Sequence, residues 1–121
     1  MNIPNRNDLL GHPIYGNSWE GFCIEHILCR CRKNVQASFF RTVRGAEIDL
    51  ILEQGQSRLA VEFKTSSDAK PQRGFWSAIE DLRIERAWVI APIQEGYPLH
   101  TARVASLEEF LNSSETSDFL L

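Results

Sequence analysis

The alternation of apolar and polar residues along the chain predicts a sheet protein with a small number of helices. Some segments repeat their apolar residues every three or four positions, as amphipathic helices do, and others are short and rich in β-branched and aromatic residues, as strands are. Clusters of turn-forming residues separate them. The predicted elements, in chain order, are a helix from Asn17 or Ser18 to about residue 32, strands over 37–42, 46–52 and 58–64, a helix over 75–82, strands over 86–91 and 99–104, and a helix over 106–111.

This order predicts an α/β fold with a central mixed sheet of four or five strands and helices on both faces. The nearly continuous apolar run over 86–91 is typical of a strand that is covered on both faces. Ser106 and Glu109 have the spacing of a capping box, which indicates where the last helix begins. His100 falls within the predicted strand over 99–104.

Length and composition agree with one domain over residues 1–121. The hydrophobic content of 43% and the charged content of 24% are ordinary for a globular protein. We divide the chain into a lead-in over 1–16, a core over 17–111 and a frayed polar tail over 112–121. Because no apolar run approaches the roughly 20 residues of a membrane span and the start is unlike a signal peptide, we expect a cytoplasmic protein with no membrane partner. Three cysteines, an odd number, suit a reducing compartment.

The net charge of −3 argues against tight nucleic-acid binding by this chain alone, because a duplex-binding surface is usually basic. Local basic residues nevertheless exist. Arg41 and Arg44 flank the predicted turn between the first two strands, and Lys70 and Arg73 lie in a polar loop over 65–74. These four residues are candidate phosphate contacts. The alternative is that they only keep exposed surfaces solvated.

Two acidic residues, Asp49 and Glu62, fall on neighbouring predicted strands. A tight turn folds this hairpin so that Glu53 lies opposite Arg58 and Asp49 lies opposite Glu62, with Cβ atoms about 5 Å apart. Glu62 and Lys64 project from the same side of their strand. Since like charges repel at this distance, the pair requires a proton, a lysine or a divalent cation, for which carboxylates are suitable ligands. The alternative is a solvated polar strand face.

Glu20 is a third candidate because it lies inside the apolar arc of the first predicted helix. At 100° per residue, Glu20 falls at about 100°, between Cys23 at about 40° and Ile24 at about 140°. An inward carboxylate on this helix is available to the site on the sheet. The alternative is a structural salt bridge between Glu20 and either Arg41 or Lys64.

A zinc site is a further possibility that the sequence raises, since Cys23, His26, Cys29 and Cys31 are close together. Their directions around a helix, about 40°, 340°, 280° and 120°, do not converge on one tetrahedral ion. We therefore expect no zinc site.

Taken together, these elements resemble the PD-(D/E)XK nuclease-like superfamily, the restriction-endonuclease-like proteins. More specifically, residues 9–111 resemble the uncharacterised nuclease-like domain at the C-terminus of predicted AAA+ type ATPases of bacteria and archaea. The residues that carry the resemblance are 9–13, Gly16, 19–22, 24–25, 27–28, 41–42, 45–50, Glu62, Lys64 and Lys70.

The resemblance implies a restriction-endonuclease-like α-β-β-β-α-β core and metal-dependent phosphodiester hydrolysis of DNA or RNA. It implies that Asp49, Glu62 and the backbone carbonyl of Phe63 hold Mg²⁺ or Mn²⁺. Lys64 would position the attacking water or help to deprotonate it, and Glu20 would bind a second ion or a metal-bound water.

The partners that we expect are nucleic acid and either an ATPase module or a second copy of the chain. The chain contains no Gly-x4-Gly-Lys-Ser/Thr phosphate loop, so we expect no ATP on it. A different function class is an inactive interaction module that works with an ATPase partner. A third interpretation is a nuclease relic without a surviving role.

Overall fold

Apolar residues on both faces of one sheet organise the fold. The computed structural model describes residues 19–66 and 68–121. Its elements, in chain order, are α1 (Trp19–Arg30), β1 (Gln36–Arg41), β2 (Glu47–Gln54), β3 (Ser57–Phe63), α2 (Arg73–Leu82), β4 (Arg86–Ile90), β5 (Tyr97–Leu99), β6 (Ala102–Ala105), α3 (Leu107–Asn112) and a 3₁₀ helix (Ser114–Thr116). The predicted lead-in over 1–16 and the predicted helix caps Asn17 and Ser18 lie outside the described residues.

The sheet is mixed, and its strands follow the order β1-β2-β3-β4-β6-β5. The pairs β1–β2, β2–β3 and β5–β6 are antiparallel, whereas β3–β4 and β4–β6 are parallel. A parallel pair needs a long crossover connection, and α2 provides it between β3 and β4. The predicted hairpin register is confirmed where Glu53 pairs with Arg58. The α/β class with a mixed sheet flanked by helices is therefore confirmed.

Two hydrophobic clusters cover the two faces of the sheet. The first lies against α1 and α3 and includes Ile24, Leu50 and Val61. The second lies against α2 and includes Ile48 and Phe75. Burial of these apolar surfaces supplies the main stabilising free energy of the domain, at about 25 cal/mol per Å² removed from water.

The sheet has one strand more than predicted, because the segment predicted as a single last strand is a hairpin. His100 follows β5 and adopts a left-handed φ of 55°, which breaks the strand there. The chain then returns as β6, antiparallel to β5. The prediction that His100 is a strand residue is therefore wrong.

The predicted frayed tail is also wrong, because the C-terminal segment packs into the core. Phe119 and Leu120 belong to the cluster beneath α1, and Phe119 is fully buried. The Thr116 hydroxyl donates a hydrogen bond of 2.7 Å to the carbonyl of Phe110. The Arg32 amide donates to the carbonyl of Phe119 at 2.9 Å, which fastens the segment to the end of α1.

The predicted start of α3 at Ser106 is confirmed, and one of the two hydrogen bonds of the predicted capping box is formed. The Ser106 hydroxyl accepts a hydrogen bond of 3.1 Å from the Glu109 amide, as a helix cap does. The Glu109 carboxylate pairs with Arg103, so the reciprocal half of the capping box is replaced by an ion pair. In the part of the chain that the structure describes, no helix is long and apolar enough to cross a membrane.

Candidate functional site

A bulge in β2 determines where Asp49 points. From Ser38 to Phe40, β1 advances two residues while its partner β2 advances three, from Ile51 to Ile48. Asp49 and Leu50 therefore share the space opposite a single β1 residue. An extra residue of this kind bends a strand and redirects its side chains, and bulges are frequent beside active sites.

The bulge also changes the face on which side chains lie. Ile48 belongs to the cluster beneath α2, whereas Leu50 belongs to the cluster beneath α1. In a regular strand two residues this far apart share a face. The bulge therefore inverts the regular alternation of the strand, which would put Ile48 and Leu50 on the same face.

Asp49 and Glu62 nevertheless meet at the end of the β2–β3 pair. The last paired position is Leu50 with Val61, and the two acids are the next residues beyond it. The Asp49 Oδ2 atom accepts a hydrogen bond of 3.0 Å from the backbone amide of Phe63. Both acids are buried, with exposed fractions of 9% for Asp49 and 6% for Glu62.

The environment of Glu62 favours its neutral form. Burial, a side-chain hydrogen bond with Asp49 and the charge of Asp49 raise the pKa of Glu62 to about 10, while Lys64 acts in the opposite direction. The Glu62 Oε1 atom is buried and lacks a hydrogen-bond partner among the described residues. A buried oxygen without a partner is costly in a stable fold and is often explained by an ion or water at a functional site.

Lys64 stands directly after β3, close to Glu62. Its Nζ atom lies 3.9 Å from Glu62 Oε2, and its side chain is mostly buried, with 24% exposed. The Lys64 amide donates a hydrogen bond of 2.9 Å to the carbonyl of Ile90, which fixes this residue to the end of β4. The predicted proximity of Glu62 and Lys64 is therefore observed.

Glu20 approaches the same sheet end from α1. Burial and, next, the charge of Asp49 raise the pKa of Glu20, Glu47 acts in the same direction, and Arg41 and Lys64 lower it. The Glu20 carboxylate is therefore within electrostatic range of charged residues on β1 and β2 and of Lys64 after β3. The alternative of a salt bridge to Arg41 or Lys64 is not observed, since Arg41 pairs with Glu47 at 3.8 Å and Lys64 pairs with Glu62.

Glu47 is a member of this group that the sequence interpretation did not include. Glu47 could have been found from the sequence, because it lies two residues before Asp49 on the same strand. We call Glu20, Glu47, Asp49 and Glu62 the acidic cluster. Arg41 and Lys64 are the basic residues that accompany it.

The acidic cluster fits a hard divalent cation by its chemistry, since carboxylate oxygens are the ligands that Mg²⁺ and Mn²⁺ prefer. The unpartnered Oε1 atom of Glu62 is a further point of fit. Within residues 19–66 and 68–121, however, no three His, Cys, Asp or Glu side chains are already arranged to hold an ion. A bound cation therefore requires Glu62 to lose its proton and the carboxylates to draw together.

The four predicted phosphate contacts do not form one group. Arg41 belongs to the acidic cluster through Glu47. Arg44 and Arg73 line a common cavity of about 620 Å³ beside it, between the turn that follows β1 and the start of α2. Lys70 is exposed in the loop before α2 and does not line that cavity.

The fold and site define an α/β protein with a buried acidic pair at one end of a mixed sheet. The chain belongs to the family described as a domain of unknown function, DUF4143, whose model matches residues 15–110. It is 30% identical over 121 residues to the uncharacterised protein Rv2008c of Mycobacterium tuberculosis and to the uncharacterised protein Mb2031c of Mycobacterium bovis. Each match covers all of this chain but only 27% of the relative's length. No solved structure gives a significant match to the chain.

Proposed function

We propose that this domain is a nuclease of the restriction-endonuclease-like type that hydrolyses phosphodiester bonds with Mg²⁺ or Mn²⁺. The observation that carries the proposal is the meeting of Asp49, Glu62 and Lys64 at one buried sheet end. The unpartnered oxygen of Glu62 supports it, because a buried carboxylate oxygen without a hydrogen-bond partner among the described residues suits a cation ligand. The sequence resemblance, with its acid on β2 and Glu-x-Lys on β3, points to the same chemistry.

In this proposal Asp49, Glu62 and the backbone carbonyl of Phe63 hold the cation. When bound, the cation would stabilise negative charge on the phosphate and make its bound water more acidic. Asp49 accepts a hydrogen bond from the Phe63 amide, which holds its carboxylate next to Glu62 at the position proposed for the ion. Glu62 gives up its proton on binding, because a carboxylate must be ionised to act as a ligand.

Lys64 has the role of orienting the attacking water. Its backbone is fixed by the hydrogen bond to β4, and its ammonium group lies 3.9 Å from Glu62 Oε2. An ammonium group donates hydrogen bonds and does not accept them, which suits it to hold a water or a phosphate oxygen. Glu20 and Arg41 border the same space, where Glu20 would accept a hydrogen bond from a water and Arg41 would face a phosphate.

A second candidate is a non-catalytic interaction module of an ATPase system. Two observations favour it. The chain spans only 27% of the length of its mycobacterial relatives, so it corresponds to one region of longer proteins. The proton on Glu62 also already relieves the repulsion from Asp49, so the acidic pair is stable without a cation. In this case the partner would be an ATPase module, nucleic acid or a second copy of the chain.

Cleavage of labelled nucleic acids separates the two candidates. Duplex DNA, single-stranded DNA, branched DNA and RNA are incubated with Mn²⁺ or Mg²⁺ and with wild type, Asp49→Asn, Lys64→Gln or the control Glu108→Gln. Asp49→Asn is preferable to Asp49→Ala because an amide oxygen still accepts the hydrogen bond from Phe63. The nuclease proposal expects cleavage by wild type and by Glu108→Gln, and loss of at least about 100-fold in the two site variants. Absence of cleavage by folded wild type in every condition favours the interaction module.

A further inference from the structure

The cavity beside the acidic cluster has walls from two parts of the chain. One wall is the turn between β1 and β2, which contributes residues 42–46, and the other is a face of α2 from Arg73 to Asp81. The cavity volume is about 620 Å³. Ala46 is the last cavity residue of the turn, and Glu47 of the acidic cluster follows it directly. Because Ala46 packs against the hydrophobic cluster of α2, the cavity lies on the α2 side of the sheet, at the sheet end that carries the acidic cluster.

Arg44 and Arg73 give this cavity its charge. Both are exposed, and neither forms an ion pair with an acidic side chain in the described part of the chain. Other arginines differ in this respect, since Arg86 pairs with Asp118 and Arg103 pairs with Glu109. Two guanidinium groups that have no ion-pair partner among the described residues and that line one cavity are suited to an external anion, and the planar guanidinium matches phosphate geometry.

The acidic residue of the lining lies away from the basic end. Arg73 begins α2 and Asp81 is eight residues further on, so at 1.5 Å per residue they are about 12 Å apart along the helix. Ser77, one turn after Arg73, contributes a hydroxyl between them. The attraction for an anion is therefore strongest at the end of the cavity formed by Arg73 and the start of α2.

The walls of the cavity are held in contact by a pair of glycines. A Cβ atom at Gly74 would lie 2.1 Å from the carbonyl oxygen of Gly45, a distance that no side chain tolerates. Gly45 adopts a φ of 94°, which favours glycine. The turn and the helix thus approach each other closely because Gly74 lacks a side chain, whereas Gly45 is needed for the backbone conformation of the turn. Arg44 and Arg73 are their sequence neighbours and share the cavity as a result.

We propose that this cavity binds the sugar–phosphate backbone of a nucleic acid, with Arg44 and Arg73 contacting phosphates. The proposal deepens the proposed nuclease function, and it depends on that function for the idea that the bound strand continues to the scissile bond at the acidic cluster. Val43, the most exposed large hydrophobic residue of the described chain, is part of the same lining and contacts the sugar edges. The local cavity gives the domain a basic face that the net charge of −3 conceals.

The test is binding without cleavage, measured by fluorescence anisotropy in EDTA with short labelled duplex DNA, single-stranded DNA and RNA. The variants are Arg44→Gln, Arg73→Gln, the double variant and Val43→Glu, which places a negative charge in the cavity. Arg32→Gln is the control, because Arg32 is an exposed arginine at the opposite end of the sheet. Circular dichroism verifies that each variant is folded.

The double variant is expected to weaken binding at least about tenfold and to reduce the slope of log affinity against log salt by about 1.4 to 1.8, since each lost phosphate contact removes about 0.7 to 0.9. Val43→Glu weakens binding similarly, and Arg32→Gln stays within about twofold of wild type. Equal binding by wild type and the double variant overturns the proposal, as does absence of binding by wild type.

The binding and cleavage results together distinguish a failure of the cavity proposal from a failure of the nuclease proposal. If cleavage requires Asp49 but is unchanged in the double arginine variant, the nuclease proposal holds and the cavity is not its phosphate site. If binding requires Arg44 and Arg73 but no cleavage occurs, the cavity is a nucleic-acid site and the nuclease proposal is wrong. The three nucleic acids then show whether the preferred backbone is duplex DNA, single-stranded DNA or RNA.

Discussion

The Asp49 carboxylate accepts a hydrogen bond of 3.0 Å from the backbone amide of Phe63, which joins the bulged part of β2 to the end of β3. This bond replaces the regular strand pairing that ends at Leu50 and Val61. It also fixes a charged oxygen next to Glu62 in a buried place. Because the Asp49 side chain takes the place of a backbone partner in the sheet, its position is fixed by the backbone of β3.

Stability should fall as the pH rises, because the folded protein retains a proton on Glu62. Its pKa is raised from 4.5 to about 10, so the folded state binds more protons than the unfolded chain between these values. This contribution is complete below about pH 4.5 and is lost as the pH rises toward about 10. Glu62→Gln keeps a neutral side chain and should therefore be more stable than wild type at about pH 9, by about 1–3 kcal/mol, and nearly equal at about pH 4.

Urea unfolding in EDTA at the two pH values measures this difference. Glu108→Gln, which changes an exposed glutamate in α3, is the matched control and should show no such dependence. Equal stability of wild type and Glu62→Gln at about pH 9 would mean that Glu62 is not held neutral in the folded protein.

The contact between the β1–β2 turn and α2 should not tolerate a methyl group. Gly74→Ala places a Cβ atom 2.1 Å from the Gly45 carbonyl, so the turn must move away from the helix. We expect a loss of about 1–3 kcal/mol, as for other overpacked sites. Thermal unfolding measures the loss, with Ser77→Ala in the same helix as the control. An unchanged melting temperature for Gly74→Ala would contradict the close contact.

The C-terminal segment should contribute strongly to stability. Phe119 is fully buried in the cluster beneath α1, and the Arg86 guanidinium lies 5.0 Å from the centre of its ring. Phe119→Ala should cost about 3–5 kcal/mol in the free energy of unfolding. Leu121→Ala, at a position that is 71% exposed, should cost little. If chemical denaturation finds the two variants alike, the segment is not packed as described.

The cysteines should differ widely in reactivity toward a thiol reagent. Burial raises the pKa of Cys23 to about 12 and the pKa of Cys31 to about 11, so both remain thiols at about pH 8. Cys29 is exposed. Mass spectrometry after brief labelling of the native protein should find Cys29 modified first and Cys23 modified only after unfolding. Early labelling of Cys23 would contradict its complete burial.

The sequence predicted the parts of the fold that follow from local patterns. The hairpin register at Glu53 and Arg58 follows from the turn between them, and the two helix faces follow from apolar spacing. The bulge at Asp49 was not predictable in this way, because the residue types in the strand do not reveal that one of them is an extra residue. The meeting of Asp49 and Glu62 was still predicted, since it depends on the hairpin register.

Tertiary packing decided the elements that the sequence did not predict. The segment 112–118 is polar, and its order depends on Phe119 and Leu120, which reach the distant cluster beneath α1. His100 takes a left-handed conformation that non-glycine residues seldom adopt, so a hairpin turn there has no clear local signal. The pairing of Arg44 and Arg73 in one cavity depends on the contact between Gly45 and Gly74, which are distant in sequence.

The central claim is that the acidic cluster is a divalent metal site, and direct Mn²⁺ binding tests it most simply. Electron paramagnetic resonance of free Mn²⁺ is recorded with wild type, Asp49→Asn and Glu108→Gln, from about pH 6 to about pH 9. The account predicts that wild type and Glu108→Gln bind Mn²⁺ more tightly as the pH rises, because Glu62 must lose its proton to become a ligand, and that Asp49→Asn does not bind. Binding that is equal in wild type and Asp49→Asn, or no binding by folded wild type across this range, would contradict the claim.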